Sequence, residues 1–213
     1  MKLPAAYYKN SDVVFLARDL IGKIVVSTVD DKFCSGIITE TEAYRGIGDK
    51  ACHAHLGRFT DRTKIMYESG GVAYVYLCYG IHHLFNIITN TDSQADAILI
   101  RAVQPVSGIH HMMERRAKVK NDHTLTSGPG NFSKAFGLNK SHYGEDLTGD
   151  LVYLEHDPEL LDTIGLTRDE KLPIVESKRI GIDYAGEDAH LPWRFYLQSS
   201  AYISKKLKGD RLP

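Results

Sequence analysis

The stretch Phe33-Cys-Ser-Gly-Ile-Ile-Thr-Glu-Thr-Glu-Ala43, with Tyr44 behind it, decides how the chain folds. Its Phe, Ile and Thr content reads as a strand. Successive strand side chains point to opposite faces, which turns Glu40 and Glu42 the same way with their Cα atoms roughly 6.6 Å apart. Two like charges that close on one face are unfavourable unless both are solvated or one sits where its pKa is shifted. On these residues alone the pair favours a solvated outer face, because structural carboxylates outnumber catalytic ones.

Outward from that strand, Lys23 to Val29 reads as its hairpin partner, joined through the turn Asp30-Asp31-Lys32. Residues 10–22 have helical spacing, with Asn10 or Ser11 as N-cap and Gly22 closing the helix. On the other side, Arg45 to Gly71 breaks into Gly, Asp, Lys, Arg and His, a length of irregular chain that is usually functional in a compact domain. Val72 to Cys78 and Leu84 to Thr89 then form a second apolar pair around Tyr79-Gly80-Ile81-His82, and Ala97 to Val103 a further strand. Tyr74 and Tyr76 share one face; Tyr74 suits a core, whereas Tyr79, at a hairpin tip beside Gly80, has little core to fill and suits wedging into something external. Ser107 to Lys118 reads as a helix with a basic end. Leu125 to Asn131 is a Gly-Pro loop before a short helix, Phe132 to Phe136. Leu151 to Leu154 and Arg179 to Ile182 read as late strands, and Asp157 to Lys171 as loop and short helix.

Among 213 residues, 26 Lys plus Arg balance 27 Asp plus Glu, so any nucleic-acid surface must be local. Met1 to Lys9 lacks the layout of a signal peptide, and no apolar run approaches the roughly 20 residues that span a bilayer, from which we expect no membrane association and an intracellular protein, cytoplasmic or nucleoid-associated in a bacterium. Cys34, Cys52 and Cys78 are widely spaced and odd in number, which favours reduced thiols. The phosphate-binding, dinucleotide, His-Glu-x-x-His and nucleophile-elbow motifs are all absent. His53-Ala54-His55 lacks a third ligand at a familiar spacing, so neither metal nor cofactor is expected.

Several segments together match a known family. Glu40-Thr-Glu-Ala-Tyr44, His53, Tyr74-Val-Tyr-Leu-Cys-Tyr-Gly80, Phe85-Asn-Ile87 and Ile98-Leu-Ile-Arg-Ala102 closely resemble the alkyladenine (3-methyladenine) DNA glycosylases. Thr126-Ser-Gly-Pro129, Leu138-Asn-Lys-Ser141, Arg179-Ile-Gly-Ile182, Tyr184-Ala-Gly-Glu187 and Pro192-Trp-Arg-Phe-Tyr196 extend the match over most of the chain, in the family's order. The resemblance implies a hydrolase that rotates a damaged purine out of double-stranded DNA and cuts its N-glycosidic bond. Extrusion costs a few kcal/mol and is required because the reacting atoms are inaccessible in the stack.

Carried over by position, Glu42 matches the general base that activates water, Arg101 the arginine that helps hold that water, and the main-chain carbonyl of Ile180 a third contact. Tyr44, His53 and Tyr76 match the walls that sandwich the flipped base, with the His53 main-chain N–H directed at the base edge. Asn86 matches the residue that excludes guanine by clash, and Tyr79 the intercalating tyrosine. Glu40 is left over, as a supporting or solvated carboxylate. No matched lysine takes a Schiff-base role, which implies a monofunctional enzyme that leaves an abasic site. His82, His83 and the loop around Asp61 and Thr63 depart from the family pattern, and they bear on backbone contacts and substrate breadth. Arg58, Arg62, Lys64, Lys134 and Lys140 are the expected phosphate-binding face.

The expected fold is α+β: one mixed domain over 1–213, on a curved, largely antiparallel sheet with flanking helices and Val72 to Thr89 as a protruding DNA-inserting hairpin. A monomer is expected. The rival readings are a non-enzymatic damage binder, against which Glu42 and Arg101 argue, and a carbohydrate glycosidase using Glu40 and Glu42, which same-face neighbours serve poorly.

Overall fold

In the computed structural model, which describes residues 1–163, 165 and 172–206, the opening stretch is the long strand β2 (Cys34–Tyr44), and the sheet is arranged about it. Along one edge β2 pairs with β5 (Asp96–Ser107). Along the other it pairs first with β1 (Ile24–Ser27) and then, past Ile38, with β8 (Arg194–Leu197). The order β3-β4-β5-β2-β1-β6 is completed by β3 (Ala73–Cys78), β4 (His82–Thr89) and β6 (Val152–Glu155), while β7 (Ile174–Ser177) extends the branch through β8. Every pairing is antiparallel, and the sheet is curled.

Helices cover one side. After a single turn, α1 (Ala5–Tyr8), the helix α2 (Val13–Asp19) buries Val13, Leu16 and Ala17. Its N-cap is Asp12, whose carboxylate accepts from the N–H groups of Val14 and Phe15, rather than Asn10 or Ser11. Helix α3 (Ile109–Arg116) and helix α4 (Pro129–Ala135) pack together, and Phe132 reaches Phe85 of β4 with Phe136 packed behind it. Helix α4 begins at Pro129, three residues before the expected Phe132, because proline fits the first helical position, where no N–H is needed. Leu16, Ile37, Ile38, Phe85 and Phe132 are fully buried in this layer, and each such side chain contributes about 1.5–3 kcal/mol of apolar burial.

One expected strand needs correction. Arg179 to Ile182 is not a strand: the Arg179 guanidinium turns inward to Asp49 and to the Ala43 carbonyl, Gly181 adopts φ +77°, and the chain leaves the sheet. The late strands are β6, β7 and β8. Of the segment from Asp157 to Lys171, the helix α5 (Pro158–Thr163) is present, and residues 164 and 166–171 lie outside those described. Arg45 to Gly71 is irregular as expected, broken only by short 3-10 turns. No helix among the described residues is long and apolar enough to cross a membrane.

Candidate active site

Where β2 runs between β5 and β8 the ladder is interrupted twice within a few residues. Ile38 pairs with Val103 and Glu40 with Ala102, which leaves Thr39 as an extra residue on β2. Thr41 then pairs with Ile100, which leaves Arg101 as an extra residue on β5. Two opposed bulges restore the register and re-aim the side chains between them, a device concentrated beside active sites. The result is that Arg101 reaches both carboxylates: its Nε lies 3.0 Å from Glu40 Oε1 and its Nη1 3.1 Å from Glu42 Oε2.

The solvated-edge reading of Glu40 and Glu42 is therefore wrong, since both side chains are wholly buried. Glu42 accepts from Arg101, from the Tyr44 hydroxyl at 2.8 Å and from the Ile180 main-chain N–H at 2.7 Å. Ile180 thus meets Glu42 through its amide N–H. Glu40 accepts from Arg101, Arg194 and Ser204. Burial works to raise the Glu40 pKa, but the Arg101 and Arg194 guanidiniums and the Ser204 N–H outweigh it and hold the carboxyl below its usual range. For Arg101, burial is overcome by Glu42 and Glu40, which raise its pKa and keep it cationic. Tyr44, pushed up by burial and by Glu42, stays protonated and donates.

Above these groups opens a cavity of about 550 Å³. Tyr44, Arg101 and Ile180, the three partners of Glu42, form part of its lining. Tyr76, His53, Asn86 and Arg62 line it as well. Tyr74 and Tyr76 share a face with ring centroids 5.2 Å apart, and His53 packs edge-on to Tyr76 at 4.8 Å. The Arg62 guanidinium lies 4.5 Å above the Tyr76 ring and donates to the Tyr74 hydroxyl at 3.1 Å and to His53 Nε2 at 3.2 Å. The same Arg62 nitrogen lies 3.5 Å from His53 Nδ1, which is also 2.9 Å from the Tyr74 hydroxyl. Burial first, then Arg62 and Arg58, push the His53 pKa down to about 4 and leave the ring neutral. Its main-chain N–H has no hydrogen-bond partner among the described residues. Asn86 is buried and donates to the carbonyls of Tyr74 and Leu84.

The hairpin β3–β4 flanks the cavity. Tyr79 and Gly80 both have positive φ, +50° and +73°, and the Ile81 N–H bonds back to the Cys78 carbonyl, the geometry of a type I′ turn. Tyr79 is 89 % exposed at this tip, with Ile81 beside it at 73 %. His82, unexpected at this place, packs on the α4 N-terminus: a Cβ on Gly130 would meet its ring at 2.8 Å, so Gly130 allows the hairpin and the Gly-Pro-Gly loop to touch. Of the five basic residues expected to face phosphate, Arg58, Lys64, Lys134 and Lys140 are exposed, with Lys64 paired to Asp61 at 3.2 Å. Arg62 is exposed too, and it also contacts the three rings at the cavity wall.

The chain as a whole has relatives. A family model described as methylpurine-DNA glycosylase matches residues 6–201. The chain belongs to that family. A relative from Desulfitobacterium hafniense is 40% identical across 97% of this chain and all of its own length. One from Chlamydia felis is 43% identical across 92% and 95%, and one from Clostridium tetani 41% across 97% and 100%. Each bears the name "Putative 3-methyladenine DNA glycosylase". Membership makes this a DNA glycosylase of repair, a hydrolase that acts on N-glycosyl bonds in DNA and excises alkylated bases.

Seen as a glycosylase, the molecule also contains groups that sequence reasoning passed over. Asp49 and Arg179 form a buried two-pronged pair at 2.6 and 2.8 Å, and Arg179 also lies 4.9 Å beneath the Tyr44 ring. This pair anchors the loop that carries Ile180 to Glu42. Arg194 is buried against Glu40 at 2.7 Å. Both arginines stood inside family-matching segments, and that was their only signal.

Proposed function

We propose that the protein is a monofunctional glycosylase that rotates alkylated, and also deaminated, purine nucleotides out of double-stranded DNA into the aromatic cavity. Glu42 activates a water for attack on C1′ of the sugar, and the purine leaves to give an abasic site. The observation that carries this reading is the arrangement around Glu42, one carboxylate held by Arg101, Tyr44 and the Ile180 N–H directly behind the cavity floor. Its negative charge suits the oxocarbenium-like transition state, and a fixed orientation costs no reorganisation during the reaction.

The remaining roles follow from position. Tyr44, Tyr76 and His53 offer flat faces, and stacking of this kind contributes about 1–3 kcal/mol per base. A neutral His53 with an unpartnered main-chain N–H suits the edge of a purine. Asn86 narrows the cavity against the exocyclic amino group of guanine. Tyr79 fills the gap left in the stack. Glu42→Gln is expected to lower single-turnover base release by about 10²–10⁴-fold, the scale of losing a general base, while binding to a lesion-containing duplex persists. Wild-type excision by that variant would remove Glu42 from the role.

A further inference from the structure

Glu40 takes no part in the chemistry proposed above, yet it is a fully buried carboxylate with four donors upon it. Its Oε1 accepts from Arg194 Nε at 2.7 Å, Arg101 Nε at 3.0 Å and Ser204 Oγ at 2.8 Å, and its Oε2 from the Ser204 N–H at 2.6 Å. Arg101 in turn uses its whole fork: Nε on Glu40, Nη1 on Glu42 and Nη2 on Ser204 Oγ at 3.1 Å. The planar guanidinium is thereby fixed in orientation by three acceptors on two separate segments. The segment that supplies Ser204 is tied down on both sides, by Thr39 donating to the Tyr202 carbonyl at 2.6 Å and by Arg194 donating to the Lys205 carbonyl. Thr39 is the bulged residue of β2, so the bulge that re-aims Glu40 also anchors this segment.

We propose that Glu40 and Ser204 are positioning residues that aim Arg101 at Glu42, and that residues 202–206 are an integral part of the active site. The inference rests on the reading of Glu42 as the base and extends it to the groups that hold its partner. A buried arginine facing one carboxylate would collapse onto it; facing two, it is shared, and it places a single N–H on Glu42. The charged and titratable groups facing the carboxylates are Arg101 from β5, Arg194 from β8, Arg179 before Ile180, and Tyr44 and Tyr76 from the cavity wall.

The test is a pH–rate profile of single-turnover excision, on a duplex carrying one alkylated purine, for Glu40→Gln, Glu40→Asp, Ser204→Ala and Glu42→Gln. Glu40→Gln is expected to slow base release by about 10- to 100-fold, the scale of misplacing a catalytic group by up to 1 Å. It should also move the acid limb of the profile to lower pH, because a carboxylate charge beside Arg101 is lost. Duplex affinity should hold. Glu40→Asp should return the limb towards wild type, and Ser204→Ala should slow the reaction with its limb in place. A merely structural Glu40 would lower the rate without moving the limb, and an unmoved limb overturns the inference. Should Glu40→Gln fail to fold, wild-type rates in both Glu40→Asp and Ser204→Ala overturn it instead. Normal excision by Glu42→Gln would show that the base reading itself has failed; an inactive Glu42→Gln beside a normal Glu40→Gln sinks only the positioning role.

Discussion

At the scale of single residues, His53 shows how a side chain is set by its neighbours. Unfolded, it takes up a proton near pH 6.5; folded, only near pH 4. Between those values the unfolded chain holds more protons, so stability falls as the pH drops through that window. Melting temperatures measured between pH 7 and pH 5 should decline, and His53→Asn should flatten the decline; an unchanged slope would show that His53 does not carry it. Tyr44, Glu42, His53 and Tyr76 could be picked out in the sequence because their segments resemble a family in order and spacing. The burial of Glu40 could not, because strand alternation assigns a face without saying whether that face meets water, and the lids over it, Arg194 and Ser204, lie more than 150 positions away. The contact of Arg62 with the cavity was hidden for a related reason. A charge in a polar loop gives no sign of the ring it lies on, Tyr76, which β3 brings against it from elsewhere in the chain.

At the scale of elements, the hairpin and the 179–182 loop illustrate opposite degrees of legibility. The hairpin could be read from local rules, since apolar runs flank a Tyr-Gly tip whose positive φ values are those a tight turn demands. Its prominence carries a prediction. Tyr79→Ala should weaken excision of a paired lesion and leave the rate on an already unpaired one nearly unchanged; an equal loss on both substrates would remove the wedge. The 179–182 loop looked like a strand because Ile180 and Ile182 alternate with small or charged residues. What overrides that pattern is the Asp49–Arg179 pair, both members wholly buried. Asp49→Asn leaves Arg179 without its counter-charge, and removing one partner of a buried pair costs about 3–5 kcal/mol. Urea denaturation should record a loss on that scale, and a loss below about 1 kcal/mol would mean that the Ala43 and Asp188 carbonyls suffice to hold Arg179.

At the scale of the whole molecule, an α+β fold on an antiparallel sheet was legible from the strand runs, but the branching of β2 between β1 and β8 was not. Pairing across such distances depends on two bulges whose positions no local periodicity encodes. Net charge gives a further consequence. At −1 the molecule has no overall attraction for DNA, so binding must come from local cations such as Lys134, one turn beyond the Gly-Pro-Gly loop, and Lys140. Each phosphate contact contributes about 0.9 to the slope of log affinity against log salt. The double variant Lys134→Ala, Lys140→Ala should therefore flatten that slope by up to about 2, whereas an unaltered slope would place the phosphate contacts elsewhere.

The clasp of Ser204 on Glu40 joins positions 164 residues apart. Synthesis on the ribosome delivers the β2 carboxylates early and their clasp among the last of the residues described. A nascent chain can therefore have its β2 carboxylates and Arg101 in hand long before Ser204, the third acceptor of the Arg101 fork, has been made.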